Sequence, residues 1–532
     1  MNRIASIGIV AASALALAGC GAGGSSGSDE GPKNYRDGGT LTMAISGDPG
    51  ALTPATAVDG NTNLLLSFAY DTLAYVGEDG DLVPGLAESW KVQPKSVEFT
   101  LKEDATCSDG SPVKASTVAD SINHVVDPKT KSPLVGVLIP ADMTVEADDA
   151  AGTVTLQTEK PSQFLLHSTV AIFIVCGEGL EDPSVLADAT SGSGAYELVD
   201  SVPNDHYTLK AREDYTWGPD GTSTADPGVP EKVVLRVVPN ESTAANLIQS
   251  GDVDVATFTG VERQRVEQMP DVTTELLPAG NGEFWFNQED GLAGSDPAVR
   301  QALTTALNLD ELAKVSTQGT GVETTGMTTL SPRPCRVDSV SGTEPTHDPE
   351  TAAATLEEAG WKLDGDVRMK NGEPLEMRIL YNSDFGTGTQ AEAEYVAAAW
   401  EELGVSTEIK AAAGPAYSEA LFTTGDWDWA TVPVGVSLPS QLLGYASGPG
   451  VPEGSNFAHI ENPSYDKAAA EAGRMSLDQG ACEKWAEAES ALFTEYDVVP
   501  VVEWTQMVAA KNAEVVMPGG LAQPTRFHLL ED

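Results

Sequence analysis

Ser111-Pro112-Val113-Lys114 has the spacing of a Ser–Lys nucleophile pair, in which the two side chains stand one helical turn apart. Here Ser111 belongs to the turn Ser108-Asp109-Gly110-Ser111-Pro112, ahead of a helix, and no S-D-N or K-T-G partner occurs in the chain. Gly23-Gly24-Ser25-Ser26-Gly27 matches G-x-S-x-G, yet a nucleophile elbow needs a strand before the Ser and a helix after it, and a Gly/Ser-rich tract supplies neither. No C-x-x-C pair and no H-E-x-x-H occurs, and the six His are scattered, so neither a zinc site nor a His-clustered nickel site is expected. Binding through a metal chelate stays open. No catalytic residue, metal or cofactor is expected. The residues left are suited to binding. Trp285, Trp427, Trp429 and Tyr445 offer flat apolar surface to a ligand or fill a core, and the alternate spacing of Trp427 and Trp429 matters because only residues of one strand face can point into a cleft. Asn287, ending the run Phe284-Trp285-Phe286-Asn287, can hydrogen-bond a ligand or fix the chain there.

Thirty basic residues stand against eighty acidic ones, for a net charge of −50. Such a surface repels phosphate backbones, which excludes nucleic acid as a partner, and favours a soluble monomer. With so many carboxylates, a pair of them is no catalytic signal.

The elements that must position these residues follow from periodicity. Asp296 reads as an N-cap and Pro297 as the first residue of a helix with Val299, Ala302, Leu303, Ala306 and Leu307 on one face. Upstream, Thr40–Ile45 and Val97–Leu101 alternate as strands, Met143–Gln157 reads as a hairpin, and Ser116 or Thr117 caps a helix. Ser191–Tyr196 is Gly-rich, but no helix follows it to form a phosphate cradle. Val233–Val238, a helix capped by Ser242 and ending at Gln249, and Val253–Phe258 form a β-α-β unit. Downstream, Asp348-Pro349 opens a helix, Asn371-Gly372 turns a hairpin, and Thr389–Leu403 is a helix followed by the strand Val405–Ile409. Thr424–Leu443 reads as loop, two helices lie around Tyr465–Arg474 and Gln479–Tyr496, and Val498–Val502 is a final apolar strand. Strands alternate with helices on both sides of Phe284–Leu312, so the fold class is α/β with two lobes.

The N-terminus carries Arg3, the apolar run Ile4–Leu17 and the small residues Leu17-Ala18-Gly19 before Cys20: a secretory signal over residues 1–19. The Cys after Leu-Ala-Gly resembles a bacterial lipobox, which implies acylation of Cys20. Gly21–Asp37 is then a flexible tether, the membrane is reached through lipid only, and the protein works outside the cytoplasm, anchored to the cell membrane. Export leaves Cys107, Cys176, Cys335 and Cys482 for two disulfides; of three pairings, Cys107–Cys176 and Cys335–Cys482 keep each bridge within one half of the chain.

The order of segments resembles the extracellular solute-binding proteins of peptide/nickel ABC importers, family 5. The residues that carry the likeness are Leu82–Trp90, Lys102–Ala115, Gly192–Leu198, Val237–Asp254, Asp296–Leu312, Ala353–Trp361, Gly372–Tyr381 and Gly425–Ala430. The resemblance implies a periplasmic-binding-protein-like fold with a ligand cleft between lobes. Lobe 1 would span 38–287, with a subdomain inserted at about 60–190, and lobe 2 would span 288–500 before 501–532 returns to lobe 1. It implies capture of a small solute or peptide and delivery to an ABC permease with its ATPase subunits. Peptide-binding members carry a Gly-Trp-x-x-Asp-like segment just after the strand that Trp427–Ala430 matches, and its Asp pairs with the peptide's amine. This chain has Val434-Gly435-Val436-Ser437-Leu438 there, with Val434 in place of the Trp and Ser437 in place of the Asp. A buried ammonium needs a counter-charge, so ordinary free-amine peptides are not expected unless another carboxylate substitutes. Val434, Val436 and Ser437 join Trp285, Asn287, Trp427, Trp429 and Tyr445 as the expected ligand contacts. Two other functions compete: an exported hydrolase on the same scaffold, and a sensory or chaperone-like receptor.

Overall fold

Ten strands form one continuous sheet, and two of them are long enough to belong to both of its halves. The strands are β1 (Thr40–Ile45), β2 (Tyr196–Val202), β3 (His206–Ala211), β4 (Lys232–Val237), β5 (Val255–Phe258), β6 (Val272–Phe286), β7 (Glu376–Asn382), β8 (Ser406–Ala412), β9 (Trp429–Thr431) and β10 (Val498–Lys511). Across the sheet they run β8-β7-β9-β6-β10-β5-β1-β4-β3-β2. The computed structural model describes residues Asn34–Glu531; the expected signal, Cys20 and most of the expected tether lie outside them. Tyr35, near the end of that tether, pairs with Leu530 and stacks on His528 at 4.5 Å.

The β-α-β unit forms as its pattern dictates. β4 and β5 both lie parallel to β1, one on each side, and the helix between them, Glu241–Ser250, is capped by Asn240 rather than by Ser242, which lies inside it. Leu41 of β1 and Val233 and Leu235 of β4 are fully buried on one face, while the residues between them are only partly buried, so β4 is not covered equally on both faces, contrary to what its apolar run suggests. In the other half, β7 is parallel to β8 and β9, and the helix Thr387–Glu402 covers it. The helix Pro297–Thr305 begins as expected, with the Asp296 carboxylate accepting from the Ala298 amide at 3.0 Å. The helix Pro349–Glu358 is capped by Asp348 in the same way.

β6 and β10 join the halves. They pair antiparallel from Val272↔Lys511 to Trp285↔Val498; β5 lies on β10 near one end and β9 on β6 near the other. Register shifts interrupt the ladder at Pro278/Gly280 and at Gly282/Glu283. Gly280 has φ +144°, open only to glycine, and a Cβ on Gly282 would stand 2.6 Å from the Trp504 indole nitrogen. Each strand runs well beyond its predicted length, because Pro278, Gly280, Asn281 and Gly282 hide the pattern of β6 and polar residues interrupt that of β10.

A second sheet, of four strands, orders Ala87–Gln93, Ser96–Leu101, Thr153–Gln157 and Thr144–Asp148, with the expected hairpin at its edge. The helix Ala115–Val126 packs beside it, but neither Ser116 nor Thr117 caps it. Ser116 lies inside the helix and gives its amide and hydroxyl to Asp149, in the hairpin turn, at 2.7 and 2.9 Å. Gly192 and Gly194 touch the backbone of Ala69 and Tyr70 where no Cβ would fit, so the Gly-rich run serves close packing. Both expected disulfides form, Cys107–Cys176 with Cα atoms 6.1 Å apart and Cys335–Cys482 at 5.0 Å. No helix among the described residues is long and apolar enough to cross a membrane.

Candidate ligand-binding site

The tryptophans expected at a ligand lie in the core. Trp285, Trp427 and Trp429 are fully buried. Trp429 packs on Phe284 at 5.3 Å and Trp400 at 6.0 Å, under the helix Thr387–Glu402. Trp285, Trp427 and the half-buried Tyr445 surround Phe457 at 5.0, 6.1 and 6.2 Å; Trp427 precedes β9, which begins at Trp429, and the two rings lie in different cores. Asn287, also buried, donates to the Trp427 carbonyl at 3.2 Å and accepts from the Glu289 amide, which fixes the end of β6.

The segment Val434–Leu438 is a support. The Val436 carbonyl accepts from the amides of Thr329 and Leu330, both at 3.1 Å, and the Ser437 hydroxyl donates to the Ser331 carbonyl at 2.9 Å. Thr329, Ser331 and Arg333, rather than Val434, Val436 or Ser437, line a cavity of about 420 Å³ with Leu276–Pro278 of β6. Behind the segment, the Val434 amide donates to Glu283 at 2.6 Å. Glu283 and Glu392 are both fully buried, and each has one carboxyl oxygen without a hydrogen-bond partner. Burial pushes the Glu283 carboxyl far above its ordinary range, and Glu392, by the same cause, up to about 8. Burial thus favours the protonated form of both, and they are structural groups.

A larger cavity, of about 750 Å³, lies where the parallel strands of both halves end. Carboxyl ends of parallel strands are where open α/β sheets leave a crevice for ligands, because the loops there diverge to opposite faces. From the first half come Asn240–Ser242, after β4, and Thr259–Glu262, after β5. The Glu241 carboxylate ties these loops together by accepting from the Thr259 amide and hydroxyl, both at 2.8 Å. From the second half come Asp384 and Phe385, after β7, and the first turn of the helix Thr387–Glu402. Asp384 is held by the Gly414 amide at 2.7 Å, and Gln318 donates to the Thr387 hydroxyl at 2.9 Å. Ala279 of β6 and Trp504 and Thr505 of β10 complete the wall at the crossing. Arg263 lies buried behind it and donates to the Thr505 carbonyl at 3.0 Å and to the Thr320 carbonyl at 3.2 Å.

None of the eight expected contacts lines this cavity. The tryptophan there is Trp504, whose indole nitrogen is buried without an acceptor. Phe385 stands edge-on to it at 5.7 Å and is 46 % exposed. Trp504 lies on the part of β10 beyond Val502, and extending the alternating run past Glu503 was the signal that could have found it.

The profile of the bacterial extracellular solute-binding proteins, family 5, middle region, matches residues 81–446. The chain belongs to this family. As a family 5 solute-binding protein it is 26 % identical over 504 residues to the periplasmic murein peptide-binding protein MppA of Escherichia coli, covering 87 % of this chain and 88 % of that one. A substrate-binding protein from Microbacterium hydrocarbonoxydans, solved with 4-hydroxybenzoate hydrazide, superposes with a TM-score of 0.69 at 26 % identity, over 92 % of this chain and 99 % of its own. NikA from Brucella suis, solved with Fe(III)-EDTA, superposes with a TM-score of 0.77 at 21 % identity over 92 % and 99 %, which shows the shared fold. The fold is accordingly the two-lobed α/β architecture of periplasmic binding proteins, and the role is solute binding for an ABC importer.

Proposed function

We propose that this family 5 protein takes its solute into the 750 Å³ cavity, closes its lobes over it and presents it to an ABC permease without altering it chemically. The observation that carries this reading is the wall of the cavity: loops from the carboxyl ends of parallel strands in both halves, meeting on the two strands that join them. A solute bridging Glu241 or Thr259 to Asp384 or Thr387 would make contacts only in the closed arrangement, and such differential binding is what a ligand needs to shift a hinge. The hinge is assigned to Pro278–Gly282 and the facing Val502–Thr505, where two register shifts and two glycines weaken the ladder. Lobe 1 then comprises the chain up to this point, with its inserted subdomain, together with the C-terminal return; lobe 2 lies between the two crossings. The Leu17-Ala18-Gly19-Cys20 sequence supports export and a lipid anchor, with a monomer held at the membrane by Cys20.

The test is native mass spectrometry of the freshly purified protein for a carried-over small molecule, followed by titration of that molecule with tryptophan emission as readout. Trp504 should report its binding, and Trp504→Phe should abolish most of the emission change. Recovery of the molecule unaltered after prolonged incubation is expected. Steady turnover would instead establish the hydrolase reading.

A further inference from the structure

We infer that the two lobes are latched to each other by a plug and a clasp: Phe164 of the inserted subdomain is seated in the core of lobe 2, and Arg336 of lobe 2 grips a turn of lobe 1. The inference rests on the two-lobed reading above and names what holds the lobes together apart from any solute.

Phe164 follows the strand Thr153–Gln157 of the four-stranded sheet, yet it is buried among residues of the other half. Every other fully buried member of its hydrophobic cluster lies between Trp285 and Val498. Beside it the Gln163 side-chain amide donates to the Ala472 carbonyl, at the end of the helix Pro463–Ala472, at 3.3 Å. Leu138, from the same subdomain, packs against this core and also against that of the first half. The Phe164 ring is out of water only while the lobes meet, so its burial favours the closed arrangement over an open one.

Arg336 supplies the second point. Its guanidinium donates to the Asp79 carbonyl at 2.5 Å and to the Asp81 carboxylate at 3.1 Å, in the turn between the strands Ala74–Val76 and Leu82–Pro84. Gly80, at φ +79°, lets that turn approach closely, and a Cβ there would stand 2.7 Å from the guanidinium. The strap that carries Arg336 is braced. Its neighbour Cys335 is bridged to Cys482, and the buried Glu489 accepts from the Met327 amide and the Thr328 and Ser339 hydroxyls at 3.2, 3.2 and 2.7 Å. Gly77, Glu78 and Gly80 of the turn and Thr329, Ser331 and Arg333 of the strap line the same 420 Å³ cavity, so the clasp bridges its two rims. His167 joins plug to clasp: its ring stands edge-on to Phe164 at 6.2 Å, and Asp81 and Arg336 are the charges acting on it. Arg336 and Asp81 are 42 % and 78 % exposed, so the clasp is the weaker of the two contacts and is screened by salt.

The experiment is pulsed electron–electron resonance on the ligand-stripped protein, with nitroxide labels on Val92→Cys in the subdomain and Leu363→Cys in lobe 2, both exposed positions. Cys20→Ser leaves these as the free thiols. The labelled chain should show one dominant distance, that of the arrangement described here. Phe164→Ala should raise the ratio of open to closed molecules about thirtyfold, read as a second, longer distance. Arg336→Gln added to it should raise the ratio about threefold more, and less so at high salt. Circular dichroism checks that the variants fold; if Phe164→Ala does not, Phe164→Leu carries the test with a shift of about fivefold. Distances unchanged in the Phe164 variant and in the double variant would overturn the latch, as would a long distance in the chain with Phe164 and Arg336 intact. None of these outcomes bears on whether the 750 Å³ cavity takes a solute, which the mass-spectrometric test decides separately.

Discussion

Glu392→Gln tests the account of the buried acids most directly. Glu392 sits in the helix Thr387–Glu402 with one carboxyl oxygen unpartnered, and burial raises its carboxyl from an ordinary 4.5 to about 8. Below pH 4.5 folded and unfolded chains both carry the proton, so the side chain costs nothing. Between 4.5 and 8 the unfolded chain ionises while the folded one holds its proton, and stability falls by about 1.4 kcal/mol per pH unit. Above 8 the loss is complete, at close to 5 kcal/mol in total, and the curve is flat again. Gln is neutral throughout and nearly the same size, so it removes this slope. The variant should match the wild type near pH 4.5 and exceed it by about 3 kcal/mol at pH 7. With an unfolding entropy of about 2.1 cal/mol/K per residue, that is a rise in Tm of about 3 °C for a chain unfolding as one unit. Calorimetry of both proteins at half-unit steps from pH 4.5 to 8.5 reads the difference, in which the other carboxylates cancel. Glu283, raised mainly by burial and to a lesser degree by Glu392, is retained in both, and its replacement alongside Glu392 is the natural second variant. Parallel stability curves for wild type and Glu392→Gln across that range would refute the reasoning.

Two further perturbations follow from the same structure. Arg300 and Asp497 form an ion pair at 3.0 Å with both side chains almost fully buried, and Arg300 also holds the carbonyls of Gly294 and Glu495. Arg300→Met should therefore cost about 3–5 kcal/mol in urea denaturation by stranding the carboxylate, whereas Arg300→Met with Asp497→Leu should recover much of it. Gly282→Val would drive a side chain into the Trp504 indole, and the expected result is a shifted tryptophan emission and weakened solute binding with little change in far-ultraviolet circular dichroism. Unchanged emission would show that the indole does not rest on Gly282.

The scaffold was legible wherever one residue's chemistry dictated one conformation. Asp296-Pro297 and Asp348-Pro349 each combine a carboxylate that can accept from a free helix amide with a ring that needs no amide, and both start helices. β1 read as a strand because Leu41, Met43 and Ile45 alternate with less buried residues, and β4 and β5 because short runs rich in Val suit a sheet. Ser116 misled for a local reason: a hydroxyl near a helix start is a cap only if no better acceptor lies near, and Asp149 supplies one from a hairpin 33 residues away. Trp285, Trp427 and Trp429 misled because large aromatic rings suit a core at least as well as a cleft, and only the packing around Phe457 and Trp400 distinguishes the two.

The candidate site was illegible for a reason tied to its work. A strand that must bend between two lobes cannot be a regular β-branched run, and the glycines and proline that loosen β6 at Pro278–Gly282 are the residues that erase its alternating pattern. The same holds for β10, where Glu503 and Thr505 interrupt the apolar sequence that would have extended the strand to Trp504. The remaining wall consists of single residues placed just after strands or at helix starts: Glu241, Thr259, Asp384, Thr387. Each is an ordinary loop residue on its own. They become a site only because β4, β5 and β7 end at the same cavity, and that convergence is set by pairings between segments more than a hundred residues apart, which no local pattern encodes.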